Sequence, residues 1–428
     1  MDQTSSRKLL IIVGGGPAPG INSVVAAATR EATKHGWKVF GAVDGYKGLL
    51  TSGLNALLEL DPREVAVVAN DGGSLLGTSK VDPTANKESK ETLLRFLQNA
   101  SITDIITIGG EGSLRISHQL FADAAFRVVH VPKTIDNDLP LPGLTSTFGF
   151  QTAREAGSQI VRALMADART TKRYYVAVTQ GRDAGHLALG IGLASGASLT
   201  LIPELIAPHL ETRKDLLRQV VDCMAGTVLK RRSINKHYGV IVVAEGLSQL
   251  ILHDPDFDSS NLQRDPHGNV RFSEIDFSGI LKRQLRTRLE GWGVQTDIVN
   301  HDIGYELRSA PPNAFDREYT IQLGYGAVQF LLQNHSLAMI TREWDRLVPI
   351  PFSKLVDAKS QVIRTRCVDI HSETYLIARQ YMDCVEQADI AESTKFEALA
   401  KLTTVPTAEL RGYLKSVAEM LQSTNALR

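Results

Sequence analysis

Apolar runs in this chain end, again and again, in loops crowded with glycine and polar side chains. Residues 9–13 lead into Gly14-Gly15-Gly16-Pro17-Ala18-Pro19-Gly20, and residues 103–108 into Gly109-Gly110-Glu111-Gly112-Ser113. Residues 127–131 lead into Pro132-Lys133-Thr134-Ile135-Asp136-Asn137-Asp138. A run that is apolar throughout, rather than alternating, reads as a strand buried on both faces, as in a parallel sheet covered by helices. Strands are expected at 9–13, 38–43, 103–108, 127–131, 174–179, 199–202 and 239–244. Amphipathic stretches at 22–35, 113–125, 152–165 and 212–231 read as helices. The alternation specifies an α/β chain with doubly wound, largely parallel sheets. In such folds ligands sit beyond the carboxyl ends of the strands, where these loops fall.

The 428 residues suffice for two or three such domains. A boundary is expected near 149–151, where a helix begins directly after the densest set of motifs. Residues 254–268, rich in Asp, Pro, Ser and Asn, read as a surface excursion, and the last forty as short helices packed on the outside. Lysine plus arginine and aspartate plus glutamate balance at 47 each, which gives no reason to expect nucleic acid or an anionic membrane as partner. Three cysteines, far apart in sequence, fit a reducing compartment, and a cytoplasmic location is expected. Five apolar residues at 9–13 are too few for a signal peptide, and no run approaches a membrane span.

Each loop has a chemical and a plain structural reading. Glycines in the first loop let backbone amides approach a phosphate at a helix N-terminus; a simple tight turn has the same composition. It is neither a dinucleotide fingerprint nor a Walker loop, since no Gly-Lys-Ser/Thr follows. Glu111 in the second loop makes sense beside a phosphate if it holds Mg²⁺, although a Glu is also favoured at any helix N-terminus. Asp136 in the third loop could accept a proton from a sugar hydroxyl while Lys133 neutralises the transferring group; a polar surface turn is the alternative. Further on, Gln180-Gly181-Arg182-Asp183-Ala184-Gly185-His186 and Glu245-Gly246 follow strands, and Gly304-Tyr305-Glu306-Leu307-Arg308 is a fifth polar segment. Arginine suits a phosphate monoester because its fork donates two parallel hydrogen bonds. His186 reads as fixing its loop or the helix after it.

GGGPAPGIN, PKTIDND, QGRDAGH, the strand-end Glu245 and GYELRSA, in this order, resemble the phosphofructokinases over roughly residues 9–382. The likeness is greatest to their bacterial pyrophosphate-dependent branch. It implies two similar α/β domains with the active site in the cleft between them. Residues 1–150 with part of 308–350 would hold the donor and Mg²⁺. Residues 151–307 with 351–428 would hold the sugar phosphate. The implied reaction is Mg²⁺-dependent phosphoryl transfer to the 1-hydroxyl of fructose 6-phosphate, in a homodimer or homotetramer. Gly16, Lys80, Gly112 and Ser113 would contact the donor, and Glu111 stands at the metal position. Asp136 would be the general base, with Lys133 and Thr134 beside the reacting atoms. Thr134, Asp136, Gln180, Gly181, Arg182, Glu245, Tyr305 and Arg308 would line the sugar-phosphate site. Arg173 matches an arginine that many relatives lend to the neighbouring subunit.

Several positions depart from the pattern. Pyrophosphate users typically carry a second aspartate where this chain has Gly112, the residue of ATP users, yet Lys133 is the pyrophosphate-type residue. Ile116 falls where ATP users keep a small residue near the adenine. Lys80 replaces an Arg, Gln180 a Met, and Glu111 an Asp. Pyrophosphate is therefore the favoured donor and ATP the alternative. A non-catalytic regulatory subunit is a reading of a different class, which the intact Asp136, Asp138, Arg182 and Arg308 disfavour. A generic nucleotide- or sugar-binding module has no need of the acid–base cluster.

Overall fold

A computed structural model describes residues 7–143, 145–206, 215–253, 275–357 and 362–421. The expected excursion at 254–268 and the start of the expected 212–231 helix lie outside the described residues. The strands are β1 Lys8–Val13, β2 Lys38–Ala42, β3 Leu57–Glu59, β4 Asp104–Gly109, β5 Arg127–Thr134 and β6 Phe148–Gly149. They continue as β7 Tyr174–Thr179, β8 Leu199–Leu201, β9 Gly239–Ala244, β10 Ile298–Ile303, β11 Ala338–Glu343 and β12 Arg346–Pro351. The chain divides into two compact units, one of residues 1–153 with 305–366, the other of 154–304 with 367–428. The first boundary falls in the opening turn of the helix Phe150–Thr171. The return segment of the first unit, 305–366, extends beyond the part of 308–350 expected from sequence, because the chain after β12 up to Arg366 also belongs to it.

In the first unit the sheet runs β12-β11-β5-β4-β1-β2-β3, with β6 paired to β5. Its centre is parallel, and only β3 and β12, at the two edges, pair antiparallel. Strand β1 explains the unbroken apolar run at 9–13. Leu9, Ile11 and Val13 pack with residues of the helices Ile21–Lys34 and Ala314–Leu332 on one face. Leu10 and Ile12 pack with Leu93, Leu97 and Leu120 on the other. With period two and both faces covered, every position is buried, each side chain contributing about 1.5–3 kcal/mol. Ile116 belongs to this second cluster, 7% exposed, and so serves as core. At the amino ends of the strands Arg7 and Arg127 both pair with the buried Asp104. Burial opposes the charge on Asp104, but hydrogen bonds from Arg127 and Arg7 prevail and hold its carboxyl below the usual range.

The second unit is a four-stranded parallel sheet, β10-β7-β9-β8. The helices His186–Ser195, Leu216–Ser233 and Phe277–Gly291 pack on it. Thr407–Leu421, expected as an outer helix, buries Leu410, Leu414, Val417 and Ala418 and packs against Leu216–Ser233.

Candidate active site

In the first unit the carboxyl ends of β1, β4 and β5 lie level, because Val13 pairs with Ile108 and Ile108 with Val131. The three loops singled out in the sequence therefore leave the sheet side by side. Gly14 N–H donates to the Ile108 carbonyl (2.9 Å) and Gly15 N–H to the Ser79 carbonyl (2.8 Å), tying the first loop to its neighbours. A Cβ on Gly14 would collide with the side chain of Ser113, and so would one on Gly109. Ser113 thus spends its side chain filling the space the glycines leave; what it can offer a ligand is its backbone amide near the start of the helix Glu111–Phe121.

Beneath these loops runs a buried polar chain that sequence reading missed, because His130 looks like one more residue of a core strand. His130 Nε2 lies 2.9 Å from the Gly109 carbonyl and Nδ1 2.8 Å from Thr107 Oγ1. Ser117 Oγ reaches Thr107 Oγ1 (2.9 Å) and the Ser113 carbonyl (2.8 Å). A carbonyl only accepts, so Nε2 carries the proton and Nδ1 accepts from Thr107. Burial pushes the imidazole down to about 3, the nearby Lys133 adding to this against the Gly109 hydrogen bond, so it stays neutral and fixes the second loop at Gly109.

Strand β5 is longer than expected and carries Lys133 and Thr134 within it, since Lys133 pairs with Phe148 and Thr134 with Gly149 of β6. The Lys133 side chain is buried, with its ammonium hydrogen-bonded to the Gly16 carbonyl. Arg308, on the short helix Tyr305–Ser309, comes close to the same glycine: its Nη1 lies 3.5 Å from where a Gly16 Cβ would stand. Burial lowers the Lys133 ammonium to about 7, with the charges of Arg308 and Lys80 adding to it and those of Asp136 and Asp138 opposing. Tyr305 is exposed, with the Arg308 guanidinium 5.6 Å from its ring.

After β5 the chain turns through the acidic loop. Asp136 N–H donates to Thr134 Oγ1 (3.0 Å), and Thr147 Oγ1 donates to the Thr134 carbonyl (2.7 Å). Glu111 opens the helix after Gly110, and a Cβ on Gly110 would lie 3.4 Å from the Lys133 carbonyl and 3.8 Å from the Thr134 Cβ. Among the described residues no group of three or more His, Cys, Asp or Glu side chains could hold a metal by itself. Mg²⁺ does not need one, since it is commonly held by one or two carboxylates plus phosphate oxygens and water. Glu111 fits that donor set. A Cβ at Gly112 meets nothing within 4 Å.

The remaining expected site residues belong to the second unit. Gln180, Gly181 and Arg182 follow β7, and Glu245 follows β9, its parallel neighbour. Gly246 N–H donates to the Gly181 carbonyl (3.2 Å), joining the two loops. Gly181 has φ +122°, in the region that favours glycine, and a Cβ there would stand 2.8 Å from the Ala184 carbonyl. Arg182 is exposed, 3.4 Å from Asp183. Arg173 lies at the opposite, amino end of β7, with Nε 3.9 Å from Asp167, so the unit does not bring it to Gln180–Arg182.

The parallel sheet of the first unit, with its glycine and acidic loops leaving level strand ends, is the arrangement of an α/β ligand-binding protein. The family described as phosphofructokinase matches residues 8–331, and the chain belongs to that family. It is 40% identical over 398 residues to the pyrophosphate–fructose 6-phosphate 1-phosphotransferase of Naegleria fowleri, covering 91% of each chain. It is 41% identical over 397 residues to the protein of that name from Thermotoga maritima, covering 90% of this chain and 93% of the relative. Among solved structures, the pyrophosphate-dependent phosphofructokinase of Marinobacter aquaeolei superposes with a TM-score of 0.66 at 18% identity, covering 88% of this chain and 90% of that one, which shows the shared fold. No helix among the described residues is long and apolar enough to cross a membrane.

Proposed function

We propose that the protein transfers a phosphoryl group from pyrophosphate to the 1-hydroxyl of fructose 6-phosphate. The observation that carries this reading is the buried Lys133, hydrogen-bonded to the Gly16 carbonyl and in electrostatic reach of Asp136, Asp138 and Arg308. Cationic groups meet carboxylates there at the end of β5, as phosphoryl transfer to a hydroxyl requires. The 1-hydroxyl oxygen bonds to phosphorus as the bridging P–O bond breaks. Asp136 takes the hydroxyl proton, and orthophosphate leaves. Lys133 balances charge on the transferring group, with Gly16, Lys80, Gly112 and the Ser113 amide on the donor side. Glu111 is the proposed Mg²⁺ ligand; the ion, when bound, neutralises donor oxygens. Thr134, Gln180, Gly181, Arg182, Glu245, Tyr305 and Arg308 are the proposed sugar-side residues. Arg173, remote from Gln180–Arg182 within its own unit, is assigned to another copy's site, which makes the working form a homodimer or homotetramer. A cytoplasmic setting suits the described cysteines, all of which are free.

ATP as donor is the second reading, favoured by the open space at Gly112. A coupled assay of the pure protein with fructose 6-phosphate and Mg²⁺, run once with each donor, decides between them. No turnover with either would overturn the functional reading.

A further inference from the structure

The acidic loop is held by a residue far from it in sequence. Arg366 Nε donates to the Asn137 carbonyl (3.1 Å), and an Nη2 hydrogen bond goes to Asn137 Oδ1. Nη1 donates to the Thr145 carbonyl (2.7 Å), and the Arg366 backbone N–H to the Asp138 carbonyl (2.7 Å). From the other side Thr147 N–H donates to the same Asn137 Oδ1 (3.0 Å). Asn137 has φ +58°, a left-handed conformation that asparagine tolerates but does not hold unaided. The guanidinium also lies within electrostatic reach of Asp138.

We propose that Arg366 is a positioning residue for phosphoryl transfer, locking Asn137 so that the carboxylates of Asp136 and Asp138, one on each side of it, leave the backbone in fixed directions. This rests on the functional reading above. The planar fork is what the site uses: three of its nitrogens reach residue 137 on one side and the carbonyls of residues 141 and 145 on the other. A lysine has the charge and most of the reach but only a point-like head, so it cannot bridge both. Arg366 touches the loop and no reacting atom. Its loss therefore acts on the rate of the chemical step rather than on donor binding, and a misplacement of about 1 Å costs on the order of a hundredfold.

The test compares the wild type, Arg366→Ala and Arg366→Lys with fructose 6-phosphate, Mg²⁺ and whichever donor the wild type uses, each with and without millimolar guanidinium chloride. Arg366→Ala is expected to lose about ten- to a hundredfold in kcat with donor KM within about twofold of wild type. Added guanidinium should recover part of that loss by occupying the vacated site, while Arg366→Lys stays slow and is not rescued. A merely structural role would not give selective rescue at unchanged donor KM. Arg366→Ala with kcat within threefold of wild type overturns the proposal, as does a kcat loss that guanidinium leaves untouched. If Arg366→Ala fails to fold, Arg366→Lys carries the test, and wild-type kcat in that variant overturns the proposal. Inactive wild type would instead overturn the functional reading, so the two failures are distinguishable.

Discussion

Lys133 reaches back from the end of β5 to the first glycine loop and donates a hydrogen bond to the carbonyl of Gly16. Its ammonium is buried and lowered to about 7 by desolvation first and by Arg308 and Lys80 after that. An anionic donor restores the proton by supplying the missing negative charge. Above about pH 7 donor binding should take up close to one proton, and its affinity should fall by roughly tenfold per further pH unit. Calorimetry in two buffers of different ionisation enthalpy measures this, with Lys133→Met as the reference that removes the donor's own protonation. Equal proton uptake by the two proteins at about pH 8.5 would show that Lys133 stays charged in the free protein. The same shift acts on folding. The unfolded chain keeps the lysine proton to about 10.5 and the folded chain releases it near 7, so the unfolded state binds more protons in between. Stability should rise with pH across that window, and Lys133→Met should abolish that share of the rise.

Asp136 is placed by its own N–H on Thr134 Oγ1 and by the hold on its neighbour Asn137. A positioned base contributes about 10²–10⁴-fold, so Asp136→Ser should lower kcat by that much with little change in KM for fructose 6-phosphate. Steady-state kinetics that leave more than half of wild-type kcat would remove Asp136 from the mechanism.

Arg308 tests the division of labour among the cations. It is proposed to bind the sugar phosphate, yet it stands beside Gly16 of the donor loop. Truncating a charge-assisted pair at a buried site costs about 2–5 kcal/mol, so Arg308→Ala should raise KM for fructose 6-phosphate by about thirtyfold or more. The donor KM should move far less. The reverse ranking would make Arg308 a donor ligand.

How much of this was legible in the sequence depended on distance along the chain. The loops after β1, β4 and β5 could be read because each follows its strand directly, and parallel pairing puts strand ends level without further information. Lys133 and Asp136 are singled out as candidates in this way. Strand β5 was read three residues short, since its extension depends on pairing with β6, a two-residue strand that no periodicity reveals. The helix Ala314–Leu332 went unread, and nothing local announces that it covers β1. Arg366 is 229 residues from Asn137, and its neighbours Thr365 and Cys367 carry no motif. His130 was hidden by the opposite problem, an imidazole in an apolar strand where a buried core residue is the ordinary reading.

Position 112 decides the donor most directly, because geometry there is permissive. A side chain at Gly112 meets nothing within 4 Å, so Gly112→Asp should fold as the wild type does. On the family resemblance, a carboxylate at this place is expected to face the α-phosphate of ATP. Like charges held close where little water screens them repel by several kcal/mol, whereas pyrophosphate has no third phosphate to meet the new charge. If the wild type uses ATP, Gly112→Asp should cut kcat/KM for ATP by at least about a hundredfold. If it uses pyrophosphate, the variant should keep that activity within about tenfold and lose any residual reaction with ATP. Lys133→Gly should then harm the pyrophosphate reaction more than an ATP reaction, since the smaller donor has fewer other contacts to hold it in the transition state. Measuring kcat/KM for both donors in the wild type and the two variants gives the full comparison. An ATP-driven reaction that survives Gly112→Asp unchanged would mean that position 112 does not face the donor, and the donor would have to lie against a different part of the helix Glu111–Phe121.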